Sequence, residues 1–459
     1  MTESHTPPVL AAVVVPIRRR GAACEVFWAR RADQLAFLGG FWAFIGGRVE
    51  DADGTDDPDA ILRRAATREV AEEIGVAVAP ARLMSAGRTV TPAWAPLRFD
   101  AAYYLAEIAD DARLDVAASG GELVAGEWVR PEDAILGWVR GERLTTPVAI
   151  AVLDALAGGW DGAAERVAAR LAATSQARIW DLAPGVGVGM FRTPTLPPAK
   201  HTNVYVIGGA EVIVIDPGSP YEDEQHVLEQ ELAQMAADGR RLRAVFLTHH
   251  HIDHASGAQA LATRLGVPIA AHPITAQLLA GRATVTRLIE DGHVERLPGH
   301  GRIPERRVRA IFTPGHAPGH HVFLEETTGF MVAGDMVAGL GTILIDPPEG
   351  DMRLYLGSLA RMRSLTPRAI LPAHGPVLAA ADAVLAHYAK HRLAREALVV
   401  TALGRVTAPV TPEELVPEVY ADVAPALHGL AARSLLAHLE KLAAEGRATV
   451  SDGKFSARR

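Results

Sequence analysis

The sequence predicts an α/β multidomain chain. Its 459 residues exceed what one core serves, at about 100–200 residues per domain. Short β-rich runs alternate with helical segments through the middle, and three blocks along the chain differ in pattern. With 49% hydrophobic and 22% charged residues, the composition is globular and supplies apolar material for several cores.

The first block is expected over 8–174. It opens with the strand-like VLAAVVVPI and CEVFWARR, then turns at Gly39, Gly40, Gly46 and Gly47. A helix follows from Pro58, near the first turn where a missing N–H is harmless, to Ile74, with Gly75 as its stop. Two more helices, around Val148–Leu156 and Gly162–Ala173, have the spacing of a connector.

The second block is expected over 178–385. EVIVID, AVFLTH, VRAIFTPGH, GFMVAGD and RAILPAH are short β-rich runs bounded by turn signals. Helical segments such as EDEQHVLEQELAQMAADG and AQALATRLG lie between them, which predicts helices layered on sheets. The third block, 386–459, is mostly helical. Thr411-Pro412-Glu413-Glu414 is a helix start, and ARSLLAHLEKLAAEG is amphipathic with Gly446 as its stop. RATVSDGKFSA reads as a hairpin around Asp452-Gly453. Three helices and a hairpin are the pattern of a winged helix.

Bulk properties narrow the function. No apolar run approaches the ~20 residues of a membrane span. The opening MTESHTPPVL lacks the basic-then-apolar layout of a signal peptide, and the lone Cys24 suits a reducing compartment. The expectation is a cytoplasmic protein with no membrane partner. A net charge of −8 argues against general affinity for polyphosphate backbones.

Four apolar strands of the second block run into a metal-ligand residue: AVFLT into His249, AIFTPG into His316, FMVAG into Asp335 and AILPA into His374. Strands of one layered sheet can place such residues along one edge. The first lies in the cluster His249-His250-His251-Ile252-Asp253-His254. Imidazole suits zinc and related metals, and carboxylate adds charge. His249 and His251, two apart, share a face in extended chain, and a turn at Asp253 points Asp253 and His254 to a neighbouring position. One metal would take His249, His251 and His316, the other Asp253, His254 and His374, with Asp335 bridging. Two metals about 3.5–4 Å apart make hydroxide available at neutral pH and clamp the reacting oxygens. Asp253 would ligate or orient the attacking water. His250, His320 and His321 read as structural.

This HxHxDH cluster, with the His of TPGH, the Asp of AGD and the His of PAHG, resembles the signature of metallo-β-lactamase-fold hydrolases. HTNVYVIG and VIVIDPG extend the match, with Asp216 similar to that family's structural Asp. The resemblance implies an αββα sandwich and two ions, usually zinc, with iron or manganese in some members. DPPEGDMRLYLGSLARM followed by a winged helix resembles the β-lactamase-like protein 2 branch, which includes a single-stranded RNA endoribonuclease and relatives that are thioesterases. True β-lactamases differ around Asp253-His254.

In the first block, Glu69, Glu72 and Glu73 cluster on one face at the end of the helix. Such a cluster either forms a solvated acidic face or surrounds a hard cation such as Mg²⁺. Arg68 can pair with one carboxylate and orient it. REVAEEIGV with an upstream GG turn resembles the Nudix box of diphosphate hydrolases, an α/β/α sandwich. RFDAAYYLAEI and LAFLGGFWAFIGGRVE are similar to the branch related to coenzyme A diphosphatases. The resemblance implies Mg²⁺ or Mn²⁺ on Glu69, Glu72 and Glu73, with Glu72 catalytic and Glu122 a further candidate. Ala60 stands where the box has Glu, Ile45 replaces a common Pro, and the segment from Gly47 to Arg68 is longer than usual.

In the winged helix, Arg433, His438, Lys441, Arg447 and Lys454 could face a nucleic-acid backbone, but Glu413, Glu414, Glu418, Asp422, Glu440 and Glu445 dilute that charge. The expected role is packing or substrate capture, since in the branch it resembles this module packs beside the metal site and shapes its entrance. The leading expectation is a two-headed hydrolase. One head attacks an ester, thioester or phosphodiester, and the other cleaves a diphosphate, with acyl-coenzyme A or a nucleotide-like molecule as substrate. The alternative is a single-stranded RNA endoribonuclease whose first domain trims or senses nucleotides. A third reading has the first domain only bind a nucleotide-like ligand and regulate the second. A homodimer is also admitted.

Overall fold

The computed structural model describes every residue except 1–6, 36, 56, 94, 96, 175 and 459. Most of the opening stretch read for a leader (MTESHT) lies outside the described residues. The chain forms two compact units, 1–188 and 189–459.

In the first unit one mixed sheet is ordered Trp42–Ala43, Ala23–Arg31, Val9–Arg20, Phe99–Glu107, Met84–Val90. Ile45–Arg48 also pairs with Val9–Arg20, and Leu123–Val129 with Ala23–Arg31. Val9–Arg20 runs parallel to Phe99–Glu107, Val13 opposite Tyr103. Side chains alternate across a strand, so the central strand feeds two cores. Ala12 and Val14 meet Leu62, Ala65, Val70 and Ile74 of the helix Pro58–Ile74. Val15 and Ile17 meet Val152, Leu153, Val167 and Leu171 of the helices Pro147–Ala157 and Ala163–Ala172. The two helices read as a connector are therefore the second outer layer of an α/β/α sandwich. Their apolar faces find burial on the sheet. Asp57 caps the helix Pro58–Ile74 through the Ala60 N–H, and Gly75 closes it in the left-handed conformation.

The second unit contains two sheets. One is ordered Arg287–Leu288, Ile269–Ala271, Arg241–Phe246, Glu211–Ile215, His201–Gly208, followed by Val186–Arg192, the strand in which the chain passes from one unit to the next. The other is ordered Val294–Leu297, Arg306–Phe312, His321–Glu325, Phe330–Gly334, Ala369–Pro372. Phe246 and Phe323, one from each sheet, meet edge to face with ring centres 5.6 Å apart. The helix Met352–Ser364 covers the second sheet, burying Tyr355, Leu359 and Met362 against Ile311, Val322, Met331 and Ile370.

The expected boundary at 385/386 falls inside one helix, Ala381–Arg405. Its first turns bury Ala381 and Leu385 in the core under the second sheet. Its last turns bury Val399, Ala402 and Leu403 with Leu415, Leu435 and Phe455 of the C-terminal module. An uninterrupted helix carries no turn signal, so the sequence held no mark there. The module continues with the helices Pro412–Val419 and His428–Ala444 and the hairpin Ala448–Ser451/Lys454–Ala457. Asp452 and Gly453 both take positive φ at the turn.

Candidate active sites

The four ligand-bearing strands of the second unit do not belong to one sheet. Arg241–Phe246 comes from the first, while Arg306–Phe312, Phe330–Gly334 and Ala369–Pro372 come from the second. The site therefore lies where edges of two sheets meet. After Phe246 the chain passes through Thr248 and His249 into the short helix Ile252–Ala255, which carries Asp253 and His254. That turn sits so close to the loop after Glu211–Ile215 that a Cβ on Gly218 would lie 1.8 Å from the Asp253 carbonyl oxygen. Glycine is needed there.

All seven residues singled out from the sequence come together. His249, His251 and His316 form one group, with His251 Nδ1 at 2.9 Å from His249 Nε2 and 3.0 Å from His316 Nε2. Asp253, His254 and His374 form a second, with Asp253 Oδ2 at 3.3 Å from His374 Nε2. Asp335 stands between them. Its Oδ2 lies 3.5 Å from His316 Nε2, and its Oδ1 lies 3.5 Å from His254 Nε2 and 3.4 Å from His374 Nε2.

Surrounding groups orient each ring. His316 Nδ1–H donates to the Leu344 carbonyl at 2.9 Å and His374 Nδ1–H to the His201 carbonyl at 2.9 Å. His254 Nδ1–H donates to Asp216 Oδ2 at 2.8 Å. Thr248 Oγ1 donates to Asp216 Oδ2 at 2.6 Å and accepts from His249 Nδ1 at 3.0 Å. Four rings thus direct Nε2 inward. His251 does the reverse and turns Nε2 to Glu349 at 3.4 Å. Of the histidines read as structural, His320 accepts the Asp335 backbone N–H at 3.2 Å. His250 faces Glu349 at 3.1 Å, and His321 packs among His272, Phe312 and Phe323.

This donor set fits divalent metal. His254 Nε2 and Asp335 Oδ1 are buried without a hydrogen-bond partner, an arrangement that proteins avoid unless something else satisfies the atoms. Tetrahedral zinc, with bonds of about 2.0–2.1 Å, separates its ligand atoms by about 3.3 Å, close to the spacings above. Electrostatics agree. Burial pushes His249 well below the ordinary histidine value and, with the neighbouring rings, takes His251 to about 3. Both are neutral, as ligation requires. Burial pushes Asp253 up, but His254 and His374 outweigh it and hold the carboxyl at about 2. In the second group burial also opposes charge, yet Asp335 and the neighbouring carboxylates raise His254 well above the ordinary value and His374 above it, so an ion bound there would displace their protons.

The first unit holds its carboxylates differently. Glu73 is buried and accepts the Gly46 N–H at 3.0 Å; burial pushes it up to about 7. Burial likewise raises Glu69, whose carboxylate occupies the space a Cβ on Gly47 would take. The exposed Glu72 pairs with Arg68 Nη1 at 2.9 Å, as does Glu69. Glu122 is exposed and acts on Glu73 only by raising it further. Among the described residues, no three of these carboxylates bring ligand atoms within 4.8 Å of one another. Arg68 stands between two of them, and Glu73 is turned to Gly46.

Arg68 is itself anchored by Asp53, which the sequence reading had not singled out. Nε and Nη2 reach the two Asp53 oxygens at 3.1 Å each, and Nη2 also donates to the Arg48 carbonyl. Asp53 is buried on the turn Asp51–Asp53, inside the segment between Gly47 and Arg68. Ala60 therefore does not leave Arg68 without a carboxylate partner. Thr248, Glu349 and the carbonyls of Leu344 and His201 were also missed. Carbonyls carry no sequence signal, and Glu349 lies 98 residues from His251. Thr248, adjoining the histidine cluster, was the one that could have been found.

Two facing sheets with imidazoles and carboxylates converging at their edges form a centre suited to divalent metal. The metallo-beta-lactamase superfamily model matches residues 197–374, the NUDIX domain model residues 7–147, and the beta-lactamase associated winged helix domain model residues 411–456. Lactamase-like protein vrtG of Penicillium aethiopicum is 31% identical over 240 residues, 50% of this chain and 69% of that protein. Atrochrysone carboxyl ACP thioesterase AgnL7 of Paecilomyces divaricatus is 30% identical over 208 residues, 45% of this chain and 60% of that protein. The Beta-lactamase-like protein 2 homolog of Caenorhabditis elegans is 26% identical over 250 residues, 54% of this chain and 80% of that protein. The chain spans about three fifths of the length of the first curated relatives it matches. The chain belongs to the metallo-β-lactamase superfamily, with a Nudix domain before the metallo-β-lactamase fold and a winged helix after it. No helix among the described residues is long and apolar enough to cross a membrane.

Proposed function

We propose that the second unit hydrolyses a thioester at a centre of two divalent ions, and that the first cleaves a diphosphate bond with Mg²⁺ or Mn²⁺, both on coenzyme A-type molecules. The observation that carries this reading is the pair of donor groups, His249/His251/His316 and Asp253/His254/His374, with the two Asp335 oxygens divided between them. The imidazole-rich set suits zinc, with iron or manganese as other occupants. Two such ions supply hydroxide at neutral pH and a clamp for the reacting oxygens.

The residues divide the remaining work. Asp253, ionised and partly open, is placed to ligate or to orient the attacking water. Asp216 and Thr248 fix the tautomers of His254 and His249. In the first unit Glu69 and Glu73 would hold the cation, and the exposed Glu72 is the group that can take a proton from water beside a bound diphosphate. The thioester assignment is supported by the relative named as an ACP thioesterase.

The winged helix also favours a small substrate over RNA. Lys441 and Arg447 are engaged by Glu396 and Glu445, Arg433 by Asp346, and His438 is buried. Of the five cations read as candidates for a backbone, that leaves Lys454, and a single cation gives weak electrostatic binding.

The test is a panel of acyl-coenzyme A, free coenzyme A, which carries the diphosphate bond, and single-stranded RNA on metal-replete protein. Glu72→Gln should lower diphosphate cleavage by about 10²–10⁴-fold, the usual contribution of a positioned proton acceptor, and leave thioester hydrolysis intact. Asp253→Ala should do the converse. Acyl-coenzyme A recovered intact from wild type would reject the thioester reading, and RNA cleavage lost in Asp253→Ala would replace it.

A further inference from the structure

The segment 336–351, between Asp335 and the helix Met352–Ser364, has no regular structure, yet it is held on both sides. On the metal side it touches two of the three histidines of the first donor group. The Leu344 carbonyl accepts from His316 Nδ1 at 2.9 Å. Glu349 Oε2 lies 3.4 Å from His251 Nε2 and 3.1 Å from His250 Nε2. Asp351 N–H donates to the Gly315 carbonyl, next to His316, at 2.8 Å.

On the far side the winged helix grips the same segment. Arg433, from the helix His428–Ala444, pairs with both oxygens of Asp346, its Nε at 2.8 Å. Arg392, buried on the helix Ala381–Arg405, donates to the Ile343 carbonyl. Tyr388 on that helix bonds both the N–H and the carbonyl of Ala338 at 2.9 Å. Within the segment, Gly350 N–H donates to the Asp346 carbonyl at 2.8 Å. A short closed turn therefore joins Asp346, held by the winged helix, to Glu349, which faces the histidines.

We propose that Glu349 is a positioning residue that directs His251 Nδ1 into the first donor group, and that the winged helix holds Glu349 in place through Arg433 and Asp346. His251 needs such a partner more than the other rings. It is the one that presents Nδ1 inward, and it is the most exposed of the four histidines in and beside that group, at 31% of its side chain. A carboxylate on the outer nitrogen of a ligating imidazole fixes its tautomer and ring plane. One acidic residue facing consecutive histidines of the cluster also places His250, which lies outside both groups that converge on Asp335. The winged helix then acts on the reaction through the geometry of one metal position.

The inference rests on reading the cluster as a binuclear centre, and the test separates the two. Metal-free full-length protein is titrated with Zn²⁺ against a chromophoric chelator, and with Co²⁺ by its visible spectrum. No substrate is involved. With excess Mg²⁺ present to occupy the carboxylates of the first unit, wild type binding two Zn²⁺ ions that Asp335→Ala fails to hold upholds the binuclear reading; fewer than two overturns it and the inference with it. Given two ions, Glu349→Ala should weaken one by about 10–100-fold, the usual effect of losing such a partner, and leave the other unchanged. Its Co²⁺ spectrum should change for that ion alone, and Glu349→Asp should restore part of the affinity. Arg433→Ala should weaken the same ion by a smaller factor. Both ions held as in wild type by Glu349→Ala, or both weakened alike with a lowered melting temperature, would overturn the role of Glu349. An unchanged Arg433→Ala beside a weakened Glu349→Ala would overturn the role of the winged helix.

Discussion

Replacing Asp216 separates what holds the second unit together from what makes its histidines ligands. Asp216 is buried, takes positive φ at the end of Glu211–Ile215, and accepts three hydrogen bonds. Thr248 N–H reaches Oδ1 at 2.8 Å; Thr248 Oγ1 and His254 Nδ1 reach Oδ2 at 2.6 and 2.8 Å. Asp216→Ala leaves all three donors buried and unpaired. Bonds to a charged group contribute about 1.5–3 kcal/mol each, but neighbouring losses do not add, and breaking a buried charged pair destabilises by about 3–5 kcal/mol. At about 2–4 °C per kcal/mol for a domain of this size, the melting temperature of the metal-free second unit should fall by about 6–20 °C.

Asp216→Asn is the sharper test. The amide oxygen can still accept the Thr248 N–H, so the stability loss should be about 0.5–1.5 kcal/mol, the scale of a neutral hydrogen bond. The amide N–H₂, however, donates where Oδ2 accepted. His254 must then accept through Nδ1 and carry its proton on Nε2, the nitrogen that faces Asp335. The ion of the Asp253/His254/His374 group should weaken by about 10–100-fold, the size found when such partners are lost. Calorimetry and Zn²⁺ titration read the two effects separately. An Asp216→Asn protein that loads both ions as wild type does would refute the tautomer argument, whatever its melting temperature.

In the first unit, a Cβ on Gly47 meets only the carboxylate end of Glu69, at 2.2 Å, whereas one on Gly46 meets the Ala12 carbonyl at 2.3 Å. Gly47→Ala should therefore keep its melting temperature within about 2 °C, under 1 kcal/mol for a domain of this size, and lose Mg²⁺-dependent diphosphate cleavage. Gly46→Ala should destabilise the unit outright, and equal melting of the two variants would refute the distinction. In the winged helix, the His438 ring, with Lys441 and Arg447, lowers the Glu396 carboxyl from its ordinary 4.5 to about 2 against the opposing effect of burial. A depressed acid contributes stability above its unfolded pKa and loses it as pH falls through its folded one. Stability of the second unit should drop between pH 4.5 and about 2, and Glu396→Gln should flatten that drop; parallel curves for the two proteins would count against the linkage.

The parts of this molecule legible in the sequence are those where one residue type in one spacing has one use. His249, His251, Asp253 and His254 announce a site because few folded arrangements place four such donors within six residues. Gly75 and the Thr411/Glu414 capping box mark helix ends by local chemistry alone. What escaped depends on neighbours distant in the chain. Nothing local reveals that the helices from Pro147 and Ala163 cover the first sheet, or that Ala381–Arg405 serves two cores. The division of the ligand strands between two sheets is invisible for the same reason. An apolar run ending in histidine reads alike from either sheet.

The two sites also explain why their outer partners differ. The first unit binds its cation, as proposed, with carboxylates, which need no tautomer fixed but repel one another. The groups around them are therefore cations and N–H donors: Arg68 for Glu69 and Glu72, Gly46 N–H for Glu73. Arg68 must in turn be held, and Asp53 does this from a neighbouring turn, which is why Ala60 can be tolerated in the fold. The second unit uses mainly imidazoles, which do not repel when neutral but can each present either nitrogen. Its outer groups are accordingly acceptors, Asp216, Thr248, Glu349 and two backbone carbonyls, each set against the nitrogen that must not ligate. Two of the five, Leu344 and Glu349, sit on the one segment that the winged helix clamps. Loss of that clamp should therefore be felt at His251 and His316 before it is felt at Asp253, His254 or His374.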